Sequence, residues 1–157
     1  MSAEEFLPNG NITRAMFVTV LYRASGEPEV TADSGFTDVA KDAYYAKAVA
    51  WASENGIVNG ISETEFAPDS DITREQTAAI IHRYAKYKKL DVSVGENTNI
   101  LSYKDYDDIS DYAIAPMQYV VGAGIISGKT ADTLNPKDTA TRAEIAAVLH
   151  RFIEAEK

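Results

Sequence analysis

An all-α fold of tandem helix–loop–helix repeats, the first of them incomplete, is predicted by this sequence from three observations. One segment occurs three times: Ile12-Thr13-Arg14 running to Arg23, Ile72-Thr73-Arg74 running to Arg83, and Ala140-Thr141-Arg142 running to Arg151. A proline stands at the same place ahead of each threonine, within Phe6-Leu7-Pro8, Phe66-Ala67-Pro68 and Leu134-Asn135-Pro136. A second segment occurs twice. It reads Phe36-Thr37-Asp38-Val39 leading to Trp51 and Gly56-Ile57-Val58-Asn59-Gly60, then Tyr106-Asp107-Asp108-Ile109 leading to Tyr119 and Gly124-Ile125-Ile126-Ser127-Gly128. Its first copy is missing ahead of Phe6.

The Thr-Arg segment predicts a helix with a marked start. Thr141 caps the first turn and Glu144, three residues on, returns the bond to the Thr141 backbone; Thr73 and Gln76 repeat the arrangement, and Met16 breaks it in the first copy. Behind the cap, Ile145, Val148, Leu149, Phe152 and Ile153 paint one face apolar, and Phe17, Val20 and Leu21 keep that register. Ser25-Gly26 and Pro28 stop the first copy. The other half predicts a second helix, begun near Asp42 or Asp111 and ended at Gly56 or Gly124. Pro116 is tolerated there only in the first turn, which a start at Ala113 to Ala115 provides.

Length varies in one place. The stretch from Gly56 to Thr73 and that from Gly124 to Thr141 are equal in length, which predicts an ordered loop rich in Gly, Asn, Asp, Ser and Pro. The stretch from Arg83 to Tyr106 is longer than that from Arg23 to Phe36, and the excess of about ten positions falls in Lys88 to Asn99. The expected organisation is therefore the C-terminal half of repeat one in 1–28, repeat two in 34–87, a linker in 88–100 and repeat three in 101–157.

Composition narrows the function classes. A chain of 157 residues, 45% hydrophobic, can bury a core. The 24 acidic against 15 basic side chains give a net charge of −9, which argues against a nucleic-acid partner, because that binding depends on phosphate neutralisation. The absence of cysteine removes disulfides and thiolate zinc sites. No apolar run reaches the length of a membrane span, so membrane insertion is not expected, and Met1-Ser2-Ala3-Glu4-Glu5 lacks the regions of a signal peptide. An exported protein would carry its signal outside this sequence.

The residues Phe36-x-Asp38-Val39, Tyr45-x-Lys47-Ala48-Val49, Trp51-Ala52, Gly56-Ile57-x-x-Gly60, Phe66-x-Pro68 and Ile72-Thr73-Arg74-Glu75 resemble the S-layer homology repeat. Repeat three is a looser copy, with Tyr106 for Phe36, Ile109 for Val39, Tyr119 for Trp51 and a two-residue deletion between Tyr106 and Gly124. The resemblance implies a pseudo-threefold, spindle-like bundle and a non-catalytic, extracellular module in the cell wall or S-layer. It implies a secondary cell-wall polysaccharide of Gram-positive bacteria as partner, acidic and often pyruvylated, and no cofactor. It also implies grooves between repeats, of which the one lined by repeats two and three is expected to bind.

A pyruvyl carboxylate calls for a fixed cation, backbone donors and an apolar surface. Arg14, Arg74 and Arg142 at the first helical turn, beside Thr13, Thr73 and Thr141, offer guanidinium and helix-terminal N–H groups. Gly60 and Gly128 let backbone approach a ligand, and Trp51 offers a ring face. Each has a structural alternative: the arginines tie to Asp38, Asp69 or Asp71, Asp38 and Asp108 orient turns rather than touch ligand, Trp51 belongs to the core, and the glycines form turns. A module that self-associates through the incomplete first repeat, without carbohydrate binding, is the competing function. The missing helix predicts that the Phe17, Val20, Leu21 face of the first helix is bare. His82 and His150 share a slot with Tyr22, which predicts a helix-surface role. Asp105, Asp107, Asp108 and Asp111 lack the glycine and terminal glutamate of a calcium loop and read as a solvated acidic turn.

Overall fold

The computed structural model describes residues 10–156, so Phe6-Leu7-Pro8 and the residues before it lie outside the described residues. Among those described, the chain is all-α, with α1 Arg14–Ala24, α2 Ala46–Glu54, α3 Arg74–Tyr87, α4 Ile114–Gly122 and α5 Arg142–Glu156. Extended pairing is confined to isolated bridges.

Local chemistry explains where the helices begin and end. The Thr13, Thr73 and Thr141 hydroxyls accept from the Met16, Gln76 and Glu144 N–H at 3.1, 3.2 and 3.1 Å. Gln76 answers with its side chain to the Thr73 N–H, closing the box. Glu144 departs from expectation: its carboxylate goes to Arg74. Pro116 lies in the first turn of α4, where its missing N–H is not used. α2 starts later than expected, because the chain from Asp42 to Tyr45 is taken up in turns.

Four helices end in one way. Gly26, Gly56 and Gly124 take left-handed φ of 82°, 71° and 73°, and the next N–H reaches back to Tyr22, Ala52 and Val120. In α3 the left-handed place is held by Lys89, at φ 61°, with Leu90 N–H on the Ala85 carbonyl.

The chain forms two compact units, one of Thr13–Ile72 and the other of Thr73–Lys157 with 10–12. In the first, α1 packs on α2 around Phe17, Val18, Leu21, Val49 and Trp51. This corrects the bare face expected on α1. Phe17 is 0% and Leu21 1% exposed, and of the three expected residues Val20 alone reaches solvent, because α1 takes its partner from the following repeat. In the second unit α3 packs on α4 by the same rule. The compact unit is therefore out of phase with the sequence repeat.

The polar stretch after α3 is built into the second unit. Ser93–Asn97 forms a 3-10 turn packed on α4, Gly95 is buried where a Cβ would lie 3.0 Å from the Tyr119 backbone, and the Gln118 amide donates to the Thr98 carbonyl. Ile100 is 1% exposed. Its polar composition reflects one solvated side, not slack.

Candidate functional site

Each Thr-Arg helix start is stitched into the loop ahead of another helix. Bridges join Thr13 to Asp71, Thr73 to Thr139 and Thr141 to Asn11. The arginine N–H groups follow: Arg14 donates to Ser70, Arg74 to Asp138 and Arg142 to Gly10, at 2.9, 2.8 and 2.9 Å. The next N–H groups, of Ala15 and Glu75, donate to the Pro68 and Pro136 carbonyls, both at 3.0 Å. These are the first-turn donors that the sequence offered to an anion. In α1 and α3 the first three are spent on protein: two on these carbonyls, the third on the threonine cap.

The guanidinium groups are also committed. Arg14 is 6% exposed; its Nε donates to the Phe66 carbonyl at 3.0 Å, Nη2 to the Asn59 carbonyl at 3.1 Å, and it lies 4.7 Å from the centre of the Phe66 ring. Arg74, 7% exposed, repeats this on Leu134 and Ser127 at 2.8 and 2.6 Å, and its Nη1 makes an ion pair with Glu144 at 3.1 Å. The partners in these bonds are loop carbonyls and, for Arg74, also Glu144. The charge-assisted bonds hold a loop carbonyl pair that is equivalent in the two repeats. Arg142 is half-buried.

Asp38 accepts from the Phe66 and Ala67 N–H at 2.9 and 2.8 Å, so it orients the loop that Arg14 grips. The counterpart in repeat three is Asp105, on Leu134 and Asn135 at 2.9 and 2.7 Å. Asp108, the counterpart expected from the sequence, is exposed in a 3-10 turn. The register is therefore Tyr103 for Phe36, with one extra residue before Gly124 in place of a two-residue deletion. A second aromatic at Tyr106 hid this in the sequence. Packing agrees: a Cβ on Gly60 would lie 2.6 Å from the Phe36 ring and 2.4 Å from the Ser62 and Glu65 carbonyls, and one on Gly128 would lie 3.3 Å from Tyr103 and 2.5 Å from the Thr130 and Thr133 carbonyls. The two glycines close their turns. Trp51, 1% exposed with its ring centre 5.5 Å from that of Tyr22, is core.

His82 corrects its expected surface place. It is 9% exposed, its ring centre is 5.4 Å from that of Tyr119, and burial lowers its pKa to about 4, with Lys86 and Arg83 adding to the effect. His150 is exposed. Glu75, 3% exposed, is held by Ser110 N–H, Ser110 Oγ and the Lys137 ammonium at 2.9, 2.8 and 2.7 Å.

One groove, of about 410 Å³, brings expected site residues together. Arg74 forms its floor, Ile126 to Lys129 one wall, and Ala143, Glu144, Ala147, Val148 and Arg151 of α5 the other. It holds Gly128 and lies wholly within the second unit. Its exposed cations are Arg151 and Lys129, the latter paired with Asp138 at 3.1 Å. Lys129 was missed in the sequence because its place is held by Ile61 in repeat two, and Arg151, which recurs as Arg23 and Arg83, was read only as the end of the repeated segment.

The S-layer homology domain matches residues 35–78 and 102–146. The chain belongs to the S-layer homology family. The second match begins as far beyond the first as Asp105 lies beyond Asp38, in agreement with the register set by the loop bonds. The relatives that the chain is similar to include an amylopullulanase of Thermoanaerobacterium thermosulfurigenes, 32% identical over 98% of this chain and 8% of that protein. The surface-layer 125 kDa protein of Lysinibacillus sphaericus is 35% identical over 95% and 12%. A cellulosome-anchoring protein of Acetivibrio thermocellus is 27% identical over 95% and 33%. The chain thus spans a minor part of each relative. The proteins that this chain resembles are thus named variously as an enzyme, a surface-layer protein and an anchoring protein.

Proposed function

We propose that this chain is a non-catalytic module that holds a surface protein to an acidic, pyruvylated secondary cell-wall polysaccharide outside a Gram-positive cell. The groove over Arg74 carries the reading. It pairs an exposed Lys129 and Arg151 with the close backbone approach of Gly128 and the apolar sides of Ala147 and Val148. A carboxylate on a sugar needs such a cation pair, and the ring needs such a surface. Arg74 acts from below: it fixes the loop and orients Glu144, while Arg14 fixes the equivalent loop of repeat two. Thr13, Thr73, Thr141, Asp38 and Gly60 are assigned to building this frame, not to touching sugar. Arg142 and Trp51 receive no ligand contact in this reading.

Calorimetric titration with purified wall polysaccharide tests the assignment. Lys129→Ala with Arg151→Ala is expected to weaken binding at least about tenfold with the melting temperature kept, since charge-assisted bonds contribute about 1.5–3 kcal/mol each. Acid removal of the pyruvyl groups is expected to do the same. Binding that survives both changes would exclude this groove and favour the competing reading, a self-associating structural module.

A further inference from the structure

The connection that follows a Thr-Arg helix lies differently in the two units. Thr31 and Thr98 stand equally far ahead of Asp38 and Asp105, and each meets the last residue of the next helix. The Thr31 hydroxyl donates to the Glu54 carboxylate, and Thr98 Oγ1 takes the place that a Cβ on Gly122 would need. In the second unit the connection lies flat on α4. Gly95 brings its backbone against that of Tyr119, Ile100 is buried, and Thr98 N–H donates to the Gly95 carbonyl at 3.1 Å. In the first unit the places of Gly95 and Ile100 are held by Pro28 and Asp33. A proline ring cannot approach a helix backbone as a glycine does, and a carboxylate is costly to bury. The segment therefore stands off α2 and leaves a hollow of about 770 Å³, floored by Thr19, Tyr22, Ala46 and Ala50.

Side chains pin this segment in place. The Tyr22 hydroxyl donates to the Pro28 carbonyl at 2.9 Å, Thr31 is held by Glu54, and Asp33 pairs with Lys41 at 3.4 Å. Among the described residues, Glu29, Val30, Thr31, Ala32 and Asp33 make no bond from main chain to main chain, although all five line the hollow. A second hollow, of about 230 Å³, shares Asp33, Lys41 and Ala46 with the first and is walled by Phe36 and Val39. One cleft thus offers a row of main-chain groups beside two neighbouring pockets. Its charges balance, with Arg23, Lys41 and Lys47 matched by Glu27, Glu29 and Asp33. In the other groove Arg74, Lys129 and Arg151 outnumber Glu144. A polyanion therefore finds its surplus of cations there and not here.

We infer that this cleft of the first unit docks a short extended segment of another protein, uncharged and with apolar side chains at alternate positions. A segment laid along Glu29 to Asp33 satisfies main-chain groups on both partners, as a strand added to a sheet edge does, and its alternate side chains enter the two hollows. Tyr44, 65% exposed and set edge-on to Tyr45 with ring centres 5.0 Å apart, adds an aromatic surface to the larger hollow. A second copy of the chain, at a net charge of −9, is a poorer occupant than an uncharged segment, because like charges oppose its approach. The second unit shows what removes the cleft: a glycine in place of Pro28 and an isoleucine in place of Asp33. None of the residues lining the cleft lines the Arg74 groove, so the inference is independent of the carbohydrate.

The test uses the whole chain, isotopically labelled, and acetylated, amidated heptapeptides in which threonine alternates with valine, leucine or tyrosine. At about 1 mM peptide, at least one of them is expected to shift the amide resonances of Val30 to Asp33 and leave those of Ser127 to Lys129 in place. Methylating the peptide nitrogens along one edge is expected to weaken binding at least about tenfold, and methylating those along the other edge to leave it unchanged, because one edge alone pairs. Ala46→Trp, which fills the floor shared by the two hollows, is expected to abolish the shifts with the melting temperature kept. No shift at Val30 to Asp33 with any of the peptides would overturn the inference, and so would equal binding by the two methylated forms. Shifts there on adding wall polysaccharide would make the cleft a glycan site, and protection of these amides that grows with protein concentration would make a second copy the occupant. Either result overturns it as well.

Discussion

Arg14 and Arg74 place Nε and Nη2 on two carbonyls of one loop, and Asp38 and Asp105 place both carboxylate oxygens on two N–H groups of the same loop. A cation below and an anion beside the turn satisfy groups that burial would otherwise leave unpaired, which is where side-chain bonds contribute most. Asp105→Ala is therefore expected to destabilise the protein by about 2 kcal/mol, since the Leu134 N–H it removes a partner from belongs to a fully buried residue. Asp108→Ala is expected to change stability by less than about 0.5 kcal/mol. Urea denaturation of the two variants decides between the registers. His82 gives a second residue-scale prediction. Its folded pKa of about 4 lies below the ordinary 6.5, so the unfolded chain binds the proton first. The stabilisation is complete above about pH 6.5 and is lost as pH falls from there through 4. His82→Tyr, the residue that α1 carries in this slot as Tyr22, is expected to narrow the gap in melting temperature between pH 7.5 and pH 4.5. A gap as wide as the parent's would show that carboxylates elsewhere set the acid response. The role of the threonine caps was legible in the sequence; that of the arginines was not, because a guanidinium at a helix start suits a carbonyl and a carboxylate equally.

At the scale of elements, the repeated pattern is a capped helix, a left-handed stop and a loop of fixed length. Three of the stops carry glycine and one carries Lys89. A side chain at positive φ is strained by contact with its own backbone, so Lys89→Gly is expected to raise stability by about 1 kcal/mol, read as an upward shift of the thermal midpoint. A decrease would mean that the freedom glycine gives the unfolded chain outweighs the relief. The helices themselves were legible because apolar spacing and caps act within about one turn. The structured course of 88–100 was not: Gly95 is needed there for its contact with Tyr119, and its neighbours in sequence carry no sign of that contact.

At the scale of the whole molecule, a net charge of −9 faces a partner proposed to be acidic as well. Long-range repulsion and short-range attraction then have opposite salt responses. Raising ionic strength shortens the screening length from about 30 Å at 0.01 M to about 8 Å at 0.15 M. Association with the polysaccharide is expected to speed up over that range while dissociation also accelerates, as Lys129 and Arg151 lose part of their contact energy. Surface plasmon resonance on immobilised polysaccharide separates the two rates. Association that slows with salt would indicate that the groove's local field, rather than the net charge, steers the encounter.

The sequence by itself determined the repeats, the helix starts at Thr13, Thr73 and Thr141, the stops at Gly26, Gly56 and Gly124, and the family. Each of these follows from residues a few positions apart, where side-chain chemistry and backbone geometry act directly on one another. Only the tertiary structure decided that α1 pairs with α2 and α3 with α4, and that Asp105 and not Asp108 matches Asp38. Repeats present nearly identical apolar faces, so local chemistry cannot choose among partners; packing chooses, through which rings, glycines and loop carbonyls fit together in space.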